Sequence, residues 1–345
     1  MTQQSLIDRL HAFQMPPELI AFRDNAALEI HLASLEGVDV AQIGQSRLGQ
    51  PLYGMRFGNG PLRVSIIAGS HSDEPAGPMT AQALPVILRE FFPQLLARCT
   101  FCVVPQMNPD GADRNRPWFS EPPALEPYTR HAFREGPGED IEFGFGEGPS
   151  VRPECHAAME FLRANGPFHL HASLHGMGYA HGAWFLLCRE WAARAVPMMD
   201  TLSTLCAREG LPLHDIDRAG EKGFERIRPG FCTTPHSRGM RAHFLALGDT
   251  ETADKFLPSS MEFVQGLGGG PLCLVSEMPV FRIAGAPSLD PADHQHFRTA
   301  LATAKAEHAL GSLAAAYGLS PVPFALQSKM QLAMLLCGLD QVAGN

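Results

Sequence analysis

Apolar and polar positions alternate between two periods along the chain, and the changes mark its elements. Ser5 to Leu35 reads as two short helices with Pro16-Pro17 between them. Val38 to Phe57 reads as two strands joined by the turn formers Gly44 to Gln50. Leu62 to Ala68 (Leu-Arg-Val-Ser-Ile-Ile-Ala) is rich in β-branched residues and stops at Gly69-Ser70, the pattern of a buried strand meeting a loop. A helix is predicted from about Gly77 to Ala97, and a second buried strand over Phe101 to Val104. Asn108 to Ser150 is polar, rich in Gly and Pro, and shows little period; loops of that length in a compact domain are usually functional. Next come a helix over Pro153 to Ala164, strands over His169–Leu174 and Ala183–Cys188, a helical stretch around Trp191 to Arg208, and a last central strand, Leu272 to Ser276. The tail from Pro291 to Leu339 reads as helical and either covers one face of the sheet or forms a contact in a homo-oligomer.

These elements predict an α/β fold, a mixed and mostly parallel sheet with helices on both faces. The 345 residues are expected to form one catalytic domain, with a core over 32–280 and a helical extension over 290–340. Hydrophobic residues make up 45% and charged residues 18%, enough for a substantial core. A net charge of −9 and the lack of any Lys/Arg run argue against nucleic acid as a partner. No stretch reaches the length of a membrane span, and Asp8, Arg9 and His11 interrupt any signal core, so a soluble cytoplasmic protein is expected. The 8 cysteines are scattered through apolar runs, as small buried hydrophobes of a reducing compartment would be. Cys99 and Cys102 have C-x-x-C spacing but lie in one strand with no second pair nearby, which argues against a metal or redox role.

Polar clusters fall at the ends of apolar strands, where α/β folds place their sites. In Gly69-Ser70-His71-Ser72-Asp73-Glu74-Pro75, an imidazole and a carboxylate three residues apart meet one zinc ion if the loop folds between them. Asn108-Pro109-Asp110-Gly111 has the chemistry of a turn and leads into Arg114-Asn115-Arg116-Pro117-Trp118. Those arginines either lie on a solvated loop or point into a cleft, where the guanidinium fork suits a carboxylate. In His169-Leu170-His171-Ala172-Ser173-Leu174-His175, His175 stands at the strand end, whereas His169 and His171 are expected to bond within the sheet. His181 is a weaker candidate. Leu274-Val275-Ser276-Glu277 puts a carboxylate at the mouth of an apolar strand, where it is costly unless paired or functional.

In order and type, these elements resemble the zinc carboxypeptidase family, the carboxypeptidase A-like metallopeptidases, over roughly Leu32 to Val280. The lead-in Ile43-Gly44-Gln45-Ser46 with Gly49-Gln50-Pro51-Leu52 resembles the family's entry hairpin. The resemblance implies one zinc per chain on His71, Glu74 and His175, with Glu277 as general base. It also implies an oxyanion arginine, for which Arg114 is the first candidate, and a substrate carboxylate bound by Asn115 and Arg116. The spacing departs from the family's, so one arginine role is open to Arg130, Arg134 or Arg152. Where the family has a mobile tyrosine this chain has only Tyr179, which leaves His236 and Arg238 as other candidates for capping the substrate. Ser260-Met261-Glu262-Phe263 resembles the pocket floor; a carboxylate at Glu262 would select basic side chains, and its alternative is a solvated helix face. His-Ser-Asp-Glu-Pro is similar to the His-Gly-Asp-Glu-Pro of bacterial cell-wall peptide amidases in the same superfamily. The implied activity is hydrolysis of an amide bond next to a free carboxylate, in a peptide or in an acyl amino acid as in the aspartoacylase and succinylglutamate desuccinylase branch. A non-catalytic binding protein on the same fold is the alternative of another class.

Overall fold

Among the described residues ten strands pair into one sheet: β1 Asp39–Gln45, β2 Pro51–Phe57, β3 Leu62–Ala68, β4 Cys99–Val104, β5 Leu170–Ala180, β6 Trp184–Leu187, β7 Arg226–Arg228, β8 Phe231–Thr233, β9 Leu272–Arg282 and β10 Ser320–Pro321. The spatial order is β1-β2-β4-β3-β5-β9-β6-β8-β7, with β10 added to β9. The computed structural model describes residues 3–137, 139 and 141–344. The centre, β4-β3-β5-β9, is parallel; β2 against β4 and β6 against β9 are antiparallel, and the sheet is therefore mixed.

Alternation along the central strands feeds two cores. Val64, Ile66, Phe101 and Val103 face one side, where helices Ala76–Phe91, Val196–Arg208 and Phe324–Ala343 pack. Ile67, Cys102 and Val104 face the other, against helices Pro153–Asn165 and Ser260–Gly266. All 8 cysteines are free and buried. Burial pushes the Cys99 and Cys102 thiols up to about 11, as expected of inert core residues.

Several elements differ from the sequence pattern, and strands β7, β8 and β10 are not predicted from it, β10 lying inside the tail read as helical. The helix expected over 77–97 breaks at Phe92-Pro93 into Ala76–Phe91 and Gln94–Arg98. Asn-Pro-Asp-Gly starts a helix, Pro109–Asn115, instead of forming a free turn. Asn108 caps it by accepting from Gly111 N at 3.0 Å, and Pro109 takes the first helical position. β5 and β9 run past His175 and Glu277, because beyond Ala68, the last residue of β3 to pair, they continue pairing with each other as far as Ala180 and Arg282.

The tail helix Phe324–Ala343 covers the sheet. A Cβ at Gly338 would come within 2.7 Å of the Leu170 and Leu274 methyl groups, so a side chain there would push those leucines aside. Among the described residues no helix is long and apolar enough to cross a membrane.

Candidate metal centre

The site forms where β3 leaves the sheet. Ala68 pairs with Leu174, and one residue later His175 on β5 lies in register with Glu277 on β9. After β3 the chain turns at Gly69, and Glu74 N bonds His71 O at 3.3 Å. Helix Ala76–Phe91 then starts against β5. A Cβ at Gly77 would sit 2.4 Å from Leu174 O, so this glycine lets the helix start approach β5 and brings Glu74 beside His175.

His71 Nδ1 lies 2.9 Å from Glu74 Oε1 and 3.0 Å from His175 Nδ1, which in turn lies 2.9 Å from Glu74 Oε2. One ligand atom from each residue falls within 4.8 Å of the others, and among the described residues this is the one such grouping. Glu74 and His175 are 5% and 2% exposed, and at that depth a carboxylate needs a counter-charge, part of which Arg134 supplies.

The far nitrogen of His175 shows how the ring is oriented. Nε2 lies 3.1 Å from Glu142 Oε2 and 2.7 Å from Ser173 Oγ, and Ser260 Oγ donates to Glu142 Oε1 at 2.9 Å. An ionised Glu142 accepts the Nε2 proton and leaves the Nδ1 lone pair facing His71 and Glu74, as a metal-binding imidazole requires. Burial alone would raise the Glu142 pKa, but the bond and charge of His175 outweigh it and hold it below the ordinary value. For His175, burial acts downward and Glu142 reverses it, so its pKa is raised. The donor set and its orientation fit a zinc ion with an open position.

Glu277 stands across from His175, and among the described residues no side-chain hydrogen bond holds its carboxylate. Burial pushes its pKa up, against the pull of His175, His71 and Arg134.

Of the arginines, Arg134 reaches the cluster: Nε donates to Asp73 Oδ1 at 2.8 Å, and Nη2 bonds Glu74 Oε1. The other arginines named from the sequence have contacts that lead elsewhere. Arg114 lies over the Phe133 ring, 3.2 Å from its centroid. Arg116 pairs with Asp24 at 2.9 Å and Asp113 at 3.3 Å, Arg130 with Glu126, and Arg152 with the buried Glu154. The Asn115 amide is used internally. It donates to Gly111 O and Phe133 O and accepts from Trp118 Nε1 and Phe133 N, all at 2.8–3.1 Å.

His169 accepts from Arg63 N, and His171 bonds Ser65 and Ser260, so both bond within the sheet region. His181 stacks on His214. Tyr179 bonds Thr129 at 2.6 Å within an aromatic cluster, and burial pushes its phenol up to about 12. His236, with Arg238 nearby, faces Glu262 at 3.6 Å. Glu262 is neither a free pocket carboxylate nor solvated. It completes a capping box with Ser259 and accepts from Ser237 N and Oγ. Burial raises its pKa, yet His236 and these donors bring it down to about 2.

Glu142 is the residue that sequence reasoning missed. It lies in the unpatterned loop, and its one signal is a carboxylate between Ile141 and Phe143.

A family model described as zinc carboxypeptidase matches residues 32–185, somewhat under half of the chain. No curated protein matches in sequence. Among solved structures, a metallo-carboxypeptidase from Burkholderia cenocepacia is similar at 16% identity and a TM-score of 0.53, covering 92% of this chain and 68% of that one. A metallo-carboxypeptidase from Pseudomonas aeruginosa in complex with (2-guanidinoethylmercapto)succinic acid is similar at 17% identity and 0.52, covering 92% and 68%. The match to residues 32–185 and the metallo-carboxypeptidase fold together support the zinc carboxypeptidase family read from the sequence.

Proposed function

We propose that this chain is a zinc-dependent hydrolase that cleaves an amide bond next to a free carboxylate, in a peptide or an acyl amino acid. The observation that carries this reading is the convergence of His71, Glu74 and His175 beside the unbonded carboxylate of Glu277. A zinc ion bound there would supply Lewis acidity and make water more acidic. Glu277 then takes the proton of the attacking water and passes it to the leaving amine, and its desolvated carboxyl suits both steps. Arg134 is the arginine we assign to the developing oxyanion, in place of Arg114, because its guanidinium already lies over Asp73 and Glu74. Glu142 and Ser173 hold the His175 ring.

The test is Glu277→Gln, which keeps shape and removes the base. Turnover should fall by about 10²–10⁴-fold with zinc content and Tm unchanged. Turnover at the wild-type rate would assign the proton transfer to another group. A panel of peptides and N-acyl amino acids then separates peptidase from deacylase.

A further inference from the structure

Arg23 lies before the family-matched region, in the extended segment leading to helix Asn25–Ala33. It lines a small cavity together with His71, Glu74, Met79 and Gln106, so it shares the space of two of the metal-binding side chains. The guanidinium is partly buried, and among the described residues no carboxylate pairs with it. Its printed bonds both come from Nη1, to Gln82 Oε1 at 3.1 Å and Ala21 O at 3.4 Å. Gln82 is 3% exposed in helix Ala76–Phe91, so the arginine is held from behind by a fixed acceptor. Among the described residues Nε and both Nη2 protons make no protein bond, and they form the edge of the fork that grips a carboxylate with two parallel bonds. The chain uses that same edge elsewhere: Arg226 holds Asp215 through Nε and Nη2 at 2.9 and 2.8 Å. A desolvated arginine without a counter-charge is costly, and an anionic ligand offsets that cost.

We infer that the Nε/Nη2 edge of Arg23 binds the free carboxylate of the substrate, as a specificity-determining residue supplied by the N-terminal segment. The inference rests on the hydrolase reading for what occupies the cavity. It also answers a question which that reading leaves open, because Arg116 and Asn115 are committed to Asp24, Asp113 and the backbone near Phe133.

The experiment compares zinc-loaded wild type, Arg23→Gln, Arg23→Lys and, as a control, the exposed Arg163→Gln. Calorimetry measures binding of N-acetyl amino acids with free and amide-blocked carboxylates, and kcat/KM is measured on matching free and blocked substrates. Wild type and Arg163→Gln should prefer the free carboxylate. Arg23→Gln should lose about 10–100-fold of that preference, the worth of a charged hydrogen-bonded contact. Arg23→Lys, which keeps charge without the fork, should recover only part of it. Full preference retained in Arg23→Gln would overturn the inference. A binding preference that depends on Arg23 in a protein that hydrolyses neither substrate would sustain Arg23 and reject the hydrolase reading.

Discussion

Glu142 and Glu277 flank His175 in opposite surroundings. Glu142 bonds His175 and Ser260 and is held ionised, whereas Glu277 has no side-chain hydrogen bond among the described residues and its pKa is raised by burial. A general base must be unprotonated to act, so kcat/KM should fall as pH drops through the Glu277 pKa. Arg134 pulls that pKa down. Arg134→Gln should therefore move the acid limb of the pH–rate profile to higher pH, besides lowering kcat. A limb that stays in place or moves to lower pH would place Arg134 away from the base. The grouping of His71, Glu74 and His175 near Glu277 was legible in the sequence because each follows an apolar strand run. The arginines were not, because their roles depend on which carboxylate each meets across the fold. Arg116 meets Asp24, 92 residues away, and Arg134 meets Asp73, 61 residues away.

At the scale of elements, the segment Phe133-Arg134-Glu135 is clamped from both sides. Asn115 bonds both the N–H and the C=O of Phe133 at 2.9 Å. Glu135 accepts from Asn108 Nδ2 at 2.8 Å and Ser72 Oγ at 2.9 Å. Helix Pro109–Asn115 thus aims Arg134 at the cluster, and Asn115, expected from the resemblance to bind substrate, is positioned to act through Arg134. Asn115→Ala should lower kcat about tenfold or more through the loosened arginine, since misplacement of about 1 Å can cost as much as 10²-fold. The same change in an Arg134→Gln background should cost little more. Additive losses in that double-mutant cycle would separate the two residues. This helix escaped the hydrophobic pattern because it is short and polar, with the sequence Pro-Asp-Gly-Ala-Asp-Arg-Asn. It starts from a capping side chain and a proline, not from an apolar face. Strands β2 to β6 and β9 were legible as apolar runs, but β7, β8 and β10 were not, nor were the far ends of β5 and β9, which are set by their pairing with each other, and pairing partners are not written locally.

Across the whole molecule, helix Phe324–Ala343 is part of the main hydrophobic core. Leu332, Leu335 and Leu339 are buried in the main core cluster. Gln331 Nε2 donates to the His175 carbonyl at 3.1 Å, and its Oε1 accepts from Thr80 at 2.6 Å. Leu335→Ala should cost about 2–5 kcal/mol in urea unfolding, as for other buried leucines. A cost under about 1 kcal/mol would mean the helix is an appendage. The parallel strands, the turn after β3 and this helix together bring His71 and Glu74, from the loop after β3, and His175, from within β5, to one point. Metal analysis of the purified zinc-loaded protein tests that convergence most directly. One zinc per chain is expected for wild type and for Glu277→Gln, and close to none for His175→Ala. Full zinc retention in His175→Ala, or none in wild type, would contradict the metal centre described here.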